Sequence, residues 1–92
     1  MAVEVFVAKM TDFMEEAVVV SWLASEGDAV TEGQPILELE TDKAIAALEA
    51  PASGYLKGIR PGAVPGATIP VGETIAYVVA DVDEQVAALD PL

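Results

Sequence analysis

A chain of 92 residues fits one small domain, and its 16 acidic and 4 basic residues give a formal net charge of −12. The absence of cysteine and histidine excludes disulfides, thiolate nucleophiles, sulfur-ligated zinc and the most common general base, so we expect no catalytic site and no metal site. The acidic surface disfavours nucleic acid and membranes as partners, because both require lysine and arginine to neutralise phosphate.

The cellular location follows from two absences. The sequence has no apolar run of about 18 residues, which a transmembrane helix requires. Its first residues, MAVEVFVAKM, lack the basic start and the long apolar core of a signal peptide. We therefore expect a cytoplasmic protein of prokaryotic type.

Short runs rich in β-branched residues predict strands along the chain. The predicted strands are VEVFV (3–7), AVVVSWL (17–23), ILELE (36–40), GYLKGI (54–59) and TIAYVV (74–79). The second run is continuously apolar, so we expect a buried strand. The third alternates, which places its leucines on one face and its glutamates on the other. TDFMEE (11–16) is predicted to be a loop.

An internal repeat relates the two halves of the chain. The second half repeats four residues of the first at a constant offset of 39 positions: Gly27, Val30, Gly33 and Ile36 correspond to Gly66, Ile69, Gly72 and Ile75. Each glycine is expected to supply a turn with positive φ, and each aliphatic side chain to fill the core. The repeat predicts an all-β sandwich with pseudo-two-fold symmetry. It also places Lys43 at one extreme of the fold and the chain termini at the opposite extreme.

The segment from Asp42 to Ala50, DKAIAALEA, allows two interpretations. Its alanine, leucine, glutamate and lysine favour a helix, but an isolated helix of this length is marginal and Pro51 would end it. The alternative, which we favour, is a β-hairpin with Asp42 and Lys43 at the centre of a tight turn.

The last residues allow two interpretations as well. We predict a domain over residues 1–80 and a tail or linker start over residues 81–92. In the tail, Asp81 and Glu84 have the spacing of a helix N-cap and its third residue, and three aliphatic residues share a helical face. A short helix and a frayed linker are both compatible with this pattern, and we favour the frayed linker.

A lysine at a hairpin tip is usually a solvated charge, but the sequence around Lys43 is specific. The segments EGDAVTEGQPILELETDKA (26–44), ALEAPASGYL (47–56) and GATIPVGETIAYV (66–78) follow one another in the order of a known family. They resemble the lipoyl domains of the dihydrolipoyl acyltransferase (E2) component of 2-oxo acid dehydrogenase complexes, over about residues 3 to 80. This resemblance implies a flattened β-barrel or sandwich of two four-stranded antiparallel sheets, with the termini together in one sheet and Lys43 on a turn of the other.

The resemblance also implies a cofactor and its attachment site. Lipoic acid would form an amide with Lys43, and Glu40, Thr41, Asp42 and Ala44 would present the lysine to a lipoate ligase or lipoyl transferase. The domain itself would be a monomeric carrier and not an enzyme. It would serve a thiamine-dependent decarboxylase (E1), the E2 acyltransferase domain and the flavoprotein dihydrolipoamide dehydrogenase (E3).

Further residues receive roles in the same way. The loop over residues 11–16 would lie near the lipoyl turn, and its acids Glu15 and Glu16 would contact E1. Ala17 departs from the glycine that is common in the family at this point. Trp22 is expected to pack against the core.

Three other functions remain open. A biotinyl carrier domain has the same fold, but its lysine usually lies between methionines, and the similar AKM (8–10) is interpreted as part of the first strand. Carriers of the glycine cleavage system usually have Ser-Val before the lysine. A structural or assembly module would leave Lys43 unmodified. The sequence leaves open which 2-oxo acid complex is served: pyruvate, 2-oxoglutarate, branched-chain or acetoin.

Overall fold

The computed structural model describes residues 2–7, 15–41, 44–86 and 88–91. The regular structure of these residues is made of eight strands. They are β1 (Ala2–Phe6), β2 (Glu16–Trp22), β3 (Ala29–Val30), β4 (Pro35–Glu40), β5 (Ile45–Glu49), β6 (Gly54–Lys57), β7 (Thr68–Pro70) and β8 (Thr74–Val79). No helix within the described ranges is long and apolar enough to cross a membrane.

The strands form two antiparallel sheets of four. Sheet A has the order β1-β8-β6-β3, and sheet B has the order β5-β4-β2-β7. The expected all-β fold of two four-stranded sheets is thereby confirmed. The expected closure into a flattened barrel is not confirmed, because no strand of the described residues belongs to both sheets. The fold is a sandwich of two open sheets.

The 39-residue sequence repeat corresponds to a two-fold symmetry between the two sheets of the sandwich. A shift of 39 carries Pro35–Glu40 (β4) onto Thr74–Val79 (β8), and each of these strands is second in its sheet. The register also matches, since Glu40 pairs with Ile45 of β5 and Val79 pairs with Ala2 of β1. The predicted pseudo-two-fold symmetry is confirmed. The β4–β5 hairpin of sheet B therefore corresponds to the start of β1 and the end of β8, which pair with each other in sheet A.

The core lies between the sheets and is aliphatic. Its large side chains with no exposed surface are Ile36, Leu37, Leu39, Leu56, Ile69 and Ile75, together with Val7. The repeat contributes symmetry-related members to this set, such as Ile36 and Ile75. Among the residues that the structure describes, no polar or charged side chain is buried. Burial of apolar surface is therefore the main stabilising term in this fold.

Two pairs of glycines place the repeated turns. Gly27 and Gly66 have φ of 88° and 93°, and Gly33 and Gly72 have φ of 87° and 93°. These values lie in the left-handed region, where an L side chain is strained. The predicted glycine turns are confirmed, and they explain why the spacing of the repeat is constant.

Strand β2 corrects the sequence prediction in two ways. The run AVVVSWL was expected to be buried, but only Ala17 and Val19 are buried there, and 36% of Val20 is exposed. The reason is that an antiparallel sheet has one face in the core and one in water, so apolar residues also occupy the outer face. Glu16, expected in a loop, is the first residue of β2.

The described residues of the tail form turns and irregular backbone, with no helix. The amide of Glu84 donates to the carbonyl of Asp81 at 2.9 Å, which is a turn. Lys57 and Arg60 donate hydrogen bonds to carbonyls of the tail. The boundary at residue 80 remains a prediction.

Candidate functional site

The β4–β5 hairpin of sheet B carries the candidate site. Its strands pair up to Glu40 and Ile45, and the amide of Thr41 then donates to the carbonyl of Ala44 at 2.8 Å. The Thr41 hydroxyl donates to the same carbonyl at 2.9 Å and accepts from the Ala44 amide at 3.2 Å. Three hydrogen bonds thus join the two residues at the base of the connection.

Only two residues, Asp42 and Lys43, connect Thr41 to Ala44, and both lie outside the described residues. The hairpin favoured from the sequence is confirmed by its two strands and by the bonds between Thr41 and Ala44. The roles assigned to Asp42 and Lys43 remain predictions.

The helix considered for residues 42–50 is wrong, because Ile45–Glu49 is strand β5. Leu48 and Ala50 are buried, whereas Ile45, Ala47 and Glu49 are exposed, which is the period of two of a strand. Leu39 pairs with Ala46 across the ladder. Helix propensity amounts to a few tenths of a kcal/mol per residue, so pairing with a neighbouring strand overrides it.

The surface around the hairpin end is accessible. Glu40 and Ala44 are exposed, and 58% of Ile45 is exposed. On the same outer face, Glu38 accepts a hydrogen bond from the Ser21 hydroxyl at 3.1 Å. An enzyme that must enclose a side chain from this connection can therefore reach it without displacing core residues. Sequence reasoning missed Ile45, although strand alternation from the buried Leu48 would have placed it on the outer face.

Glu15 and Glu16 lie at the same end of sheet B. Val18 pairs with Glu40, so the start of β2 runs alongside the end of β4. Glu16 pairs with Pro70 of β7, and the carbonyl of Glu15 accepts from the Val71 amide at 2.9 Å. Both glutamates are exposed. The rest of the predicted loop, residues 11–14, lies outside the described residues, as does AKM (8–10), and contact with E1 remains a prediction.

Trp22 is a packing residue, as expected. It is half-buried against the core cluster, and its indole N–H donates to the carbonyl of Ala63 at 2.7 Å. This bond links β2 to the segment between β6 and β7. A buried indole N–H usually has such a partner, so Trp22 stabilises the scaffold beneath the site and does not belong to the site itself.

A search of the described ranges finds no group of three or more acidic residues placed to hold a metal ion. The chemistry that this hairpin can offer is therefore that of its own residue types. The connection contains a lysine, whose primary amine on a flexible stem can form an amide. The closed base and exposed flanks fit the attachment of a group by a separate enzyme.

Comparison with known proteins identifies the family. The Biotin_lipoyl model, described as "biotin-requiring enzyme", matches residues 3–88. The chain therefore belongs to the biotin/lipoyl attachment family. In the fold comparison it matches the solution structure of the lipoyl domain of the 2-oxoglutarate dehydrogenase complex from Azotobacter vinelandii, with a TM-score of 0.68 over 86% of this chain and 98% of that one. The sequence identity of 23% means that this match supports the fold alone.

Several relatives are named as dihydrolipoyllysine-residue acyltransferase components. The chain is 46% identical over 66 residues to the dihydrolipoyllysine-residue acetyltransferase component of the acetoin cleaving system of Pseudomonas putida, covering 72% of this chain and 17% of that protein. It is 36% identical over 75 residues to the succinyltransferase component of the 2-oxoglutarate dehydrogenase complex of Bacillus subtilis, covering 82% and 18%. The chain thus spans about a sixth of the length of these relatives.

Proposed function

We propose that this chain is a lipoyl carrier domain of an E2 component of a 2-oxo acid dehydrogenase complex, with lipoic acid attached as an amide to Lys43. The observation that carries this proposal is the β4–β5 hairpin, whose four-residue connection (41–44) contains Lys43 within the string ETDKA. The family match over residues 3–88 and the acyltransferase relatives support it.

The residue types explain what the hairpin contributes. The amide removes the charge of Lys43, which takes the formal net charge from −12 to −13. Bound lipoic acid supplies the redox-active sulfurs that this cysteine-free chain lacks. The bonds between Thr41 and Ala44 hold the base of the connection on sheet B, so the chain enters and leaves the Asp42-Lys43 pair at defined points.

The proposed partners follow from this role. A lipoate ligase or lipoyl transferase would attach the group. E1, the E2 acyltransferase domain and E3 would then use it in turn. As a carrier, the domain raises the effective concentration of the bound group at each active site and needs no active site of its own. Among the described residues, Glu15, Glu16 and Glu40 are exposed acids at this end of sheet B, where such partners would approach.

Intact mass after co-expression with a lipoate ligase and lipoate tests the proposal. We expect the full chain to gain the mass of one lipoyl amide. Lys43→Arg keeps the positive charge but offers no acylable amine, so it should gain nothing. The matched controls are Lys9→Arg and Lys57→Arg, which remove the other two lysines one at a time and should each still gain one group.

Three results would contradict the proposal. Modification that persists in Lys43→Arg would place the group elsewhere. A biotin-sized gain with a biotin ligase, and none with lipoate, would identify a biotinyl carrier. No gain with either ligase, on a chain shown to be folded by circular dichroism, would leave an unmodified structural module.

A further inference from the structure

The segment that follows β8 lies against the outer face of sheet A. We propose that the described residues of this segment, 81–86 and 88–91 (the strap), are an integral part of the folding unit, so that the cooperative domain extends to Asp90 and does not end at residue 80. This inference does not depend on whether Lys43 carries lipoate.

Two of the four basic residues of the chain hold the strap. The Lys57 ammonium donates to the carbonyl of Val82 at 3.0 Å, and Nε of Arg60 donates to the carbonyl of Asp90 at 2.6 Å. Hydrogen bonds from charged donors are stronger than neutral ones. Both acceptors belong to the main chain, so these two bonds do not depend on the side chains of Val82 and Asp90.

Arg60 is held in place from the opposite side. Its Nη1 donates to the carboxylate of Glu73 and to the carbonyl of Thr74, both at 3.1 Å. Only 14% of the Arg60 side chain is exposed. Arg60 therefore joins the start of β8 to the end of the strap. Because the guanidinium is already oriented by sheet A, little conformational entropy is lost when Asp90 binds to it.

An apolar contact lies between these two hydrogen bonds. A Cβ atom built on Gly58 would lie 2.7 Å from Cγ2 of Val86 and 3.2 Å from the ring of Tyr77, so the missing side chain makes room for Val86. The carboxylate of Glu26 fixes this part of the backbone, since it accepts from the amides of Gly58 and Ile59 at 2.7 and 3.0 Å. Val86 is half-buried as a result.

The burial of sheet A shows the same effect. Val79 faces away from the core, because it alternates along β8 with Val78, which faces the core. Even so, only 1% of Val79 is exposed. Its symmetry counterpart Glu40 is exposed in sheet B. Tyr55, which pairs with Val79, lines a surface depression together with residues 80–84. The beginning of the strap thus covers an outer surface that is open in sheet B.

A matched pair of substitutions in the full chain tests the proposal. Val86→Asp places a carboxylate against Gly58 and Tyr77, whereas Val82→Asp makes the same change at a side chain that is 43% exposed and leaves its carbonyl in place. We expect Val86→Asp to lower the melting temperature by about 5 °C or more and Val82→Asp by less than about 2 °C. Lipoylation of Lys43 should proceed in both, which separates this test from that of the carrier function.

Nuclear magnetic resonance gives an independent measurement. In the parent chain, the heteronuclear NOE of Glu84 and Val86 should match that of β8, and Val86→Asp should reduce it to the values of a flexible chain end. A chain that ends at Ala80 should melt at a lower temperature and shift the amide resonance of Gly58. Flexible-end NOE values in the parent chain, equal melting temperatures for the two variants, or a truncated chain as stable as the parent would each overturn the proposal.

Discussion

The two sheets of this sandwich share one scaffold but end differently. In sheet B, β4 continues into β5 through four residues (41–44), and bonds between Thr41 and Ala44 close the base of this connection. In sheet A, the corresponding place is occupied by the start of β1 and the end of β8, which belong to opposite ends of the chain. The two halves of the repeat thus contribute equivalent residues to one core, and the candidate site lies at the place where the two halves differ.

The largest expected effect tests the symmetry of the core. Ile36 and Ile75 are related by the repeat, and neither has exposed surface. We expect Ile36→Ala and Ile75→Ala each to lower the free energy of unfolding by about 2–5 kcal/mol, because each leaves a cavity. Urea unfolding followed by circular dichroism measures both. Costs that differ by more than about 2 kcal/mol would show that the two halves are not energetically equivalent.

The next prediction concerns the hydrogen bond from the Trp22 indole to the carbonyl of Ala63. Trp22→Phe removes the indole N–H and leaves the carbonyl of Ala63 without that donor. Since Ala63 is only 2% exposed, we expect a loss of about 1–3 kcal/mol in thermal or urea unfolding. Tyr55→Phe is the control in sheet A and should cost less than about 0.5 kcal/mol. Equal costs would mean that the bond to Ala63 contributes nothing to stability.

The smallest effect on stability is expected at the hairpin itself. Thr41→Val keeps the shape of the side chain but removes the hydroxyl that bonds to both polar groups of the Ala44 backbone. We expect a loss of about 0.5–1.5 kcal/mol in the free energy of unfolding and a slower rate of lipoylation at Lys43. Thr41→Ser retains the hydroxyl and should lipoylate at nearly the parental rate. If Val and Ser at this position lipoylate equally fast, the hydroxyl does not position the turn.

The longer strands and the symmetry could be predicted because their patterns are visible in the sequence, whereas the short strands β3 and β7 were not predicted. Alternation in ILELE places Leu37 and Leu39 inside, and glycines at a constant offset mark equivalent turns. The hairpin was harder to predict, because its alanine-rich second strand has helix propensity. Only the pairing with β4, a contact between distinct segments, decides in favour of a strand.

The path of the tail could not be read from the sequence for a different reason. Its hydrogen bonds join the side chains of Lys57 and Arg60 to backbone carbonyls of the tail. Because every residue has a carbonyl, no pattern of residue types in the tail predicts this contact. The candidate site was found through the resemblance of ETDKA and its flanks to a family. Composition alone describes Lys43 as a solvated charge.

Trp22 is the single tryptophan of the chain, and its indole N–H is bound to Ala63 within a half-buried setting. Its fluorescence therefore reports on one junction, where β2 meets the segment between β6 and β7. Opening of the sandwich would hydrate the indole and move its emission to longer wavelength, whereas events confined to the hairpin, which lies at the other end of β2, would leave it unchanged. The protein thus carries an intrinsic optical probe that distinguishes unfolding of the scaffold from changes at the candidate site.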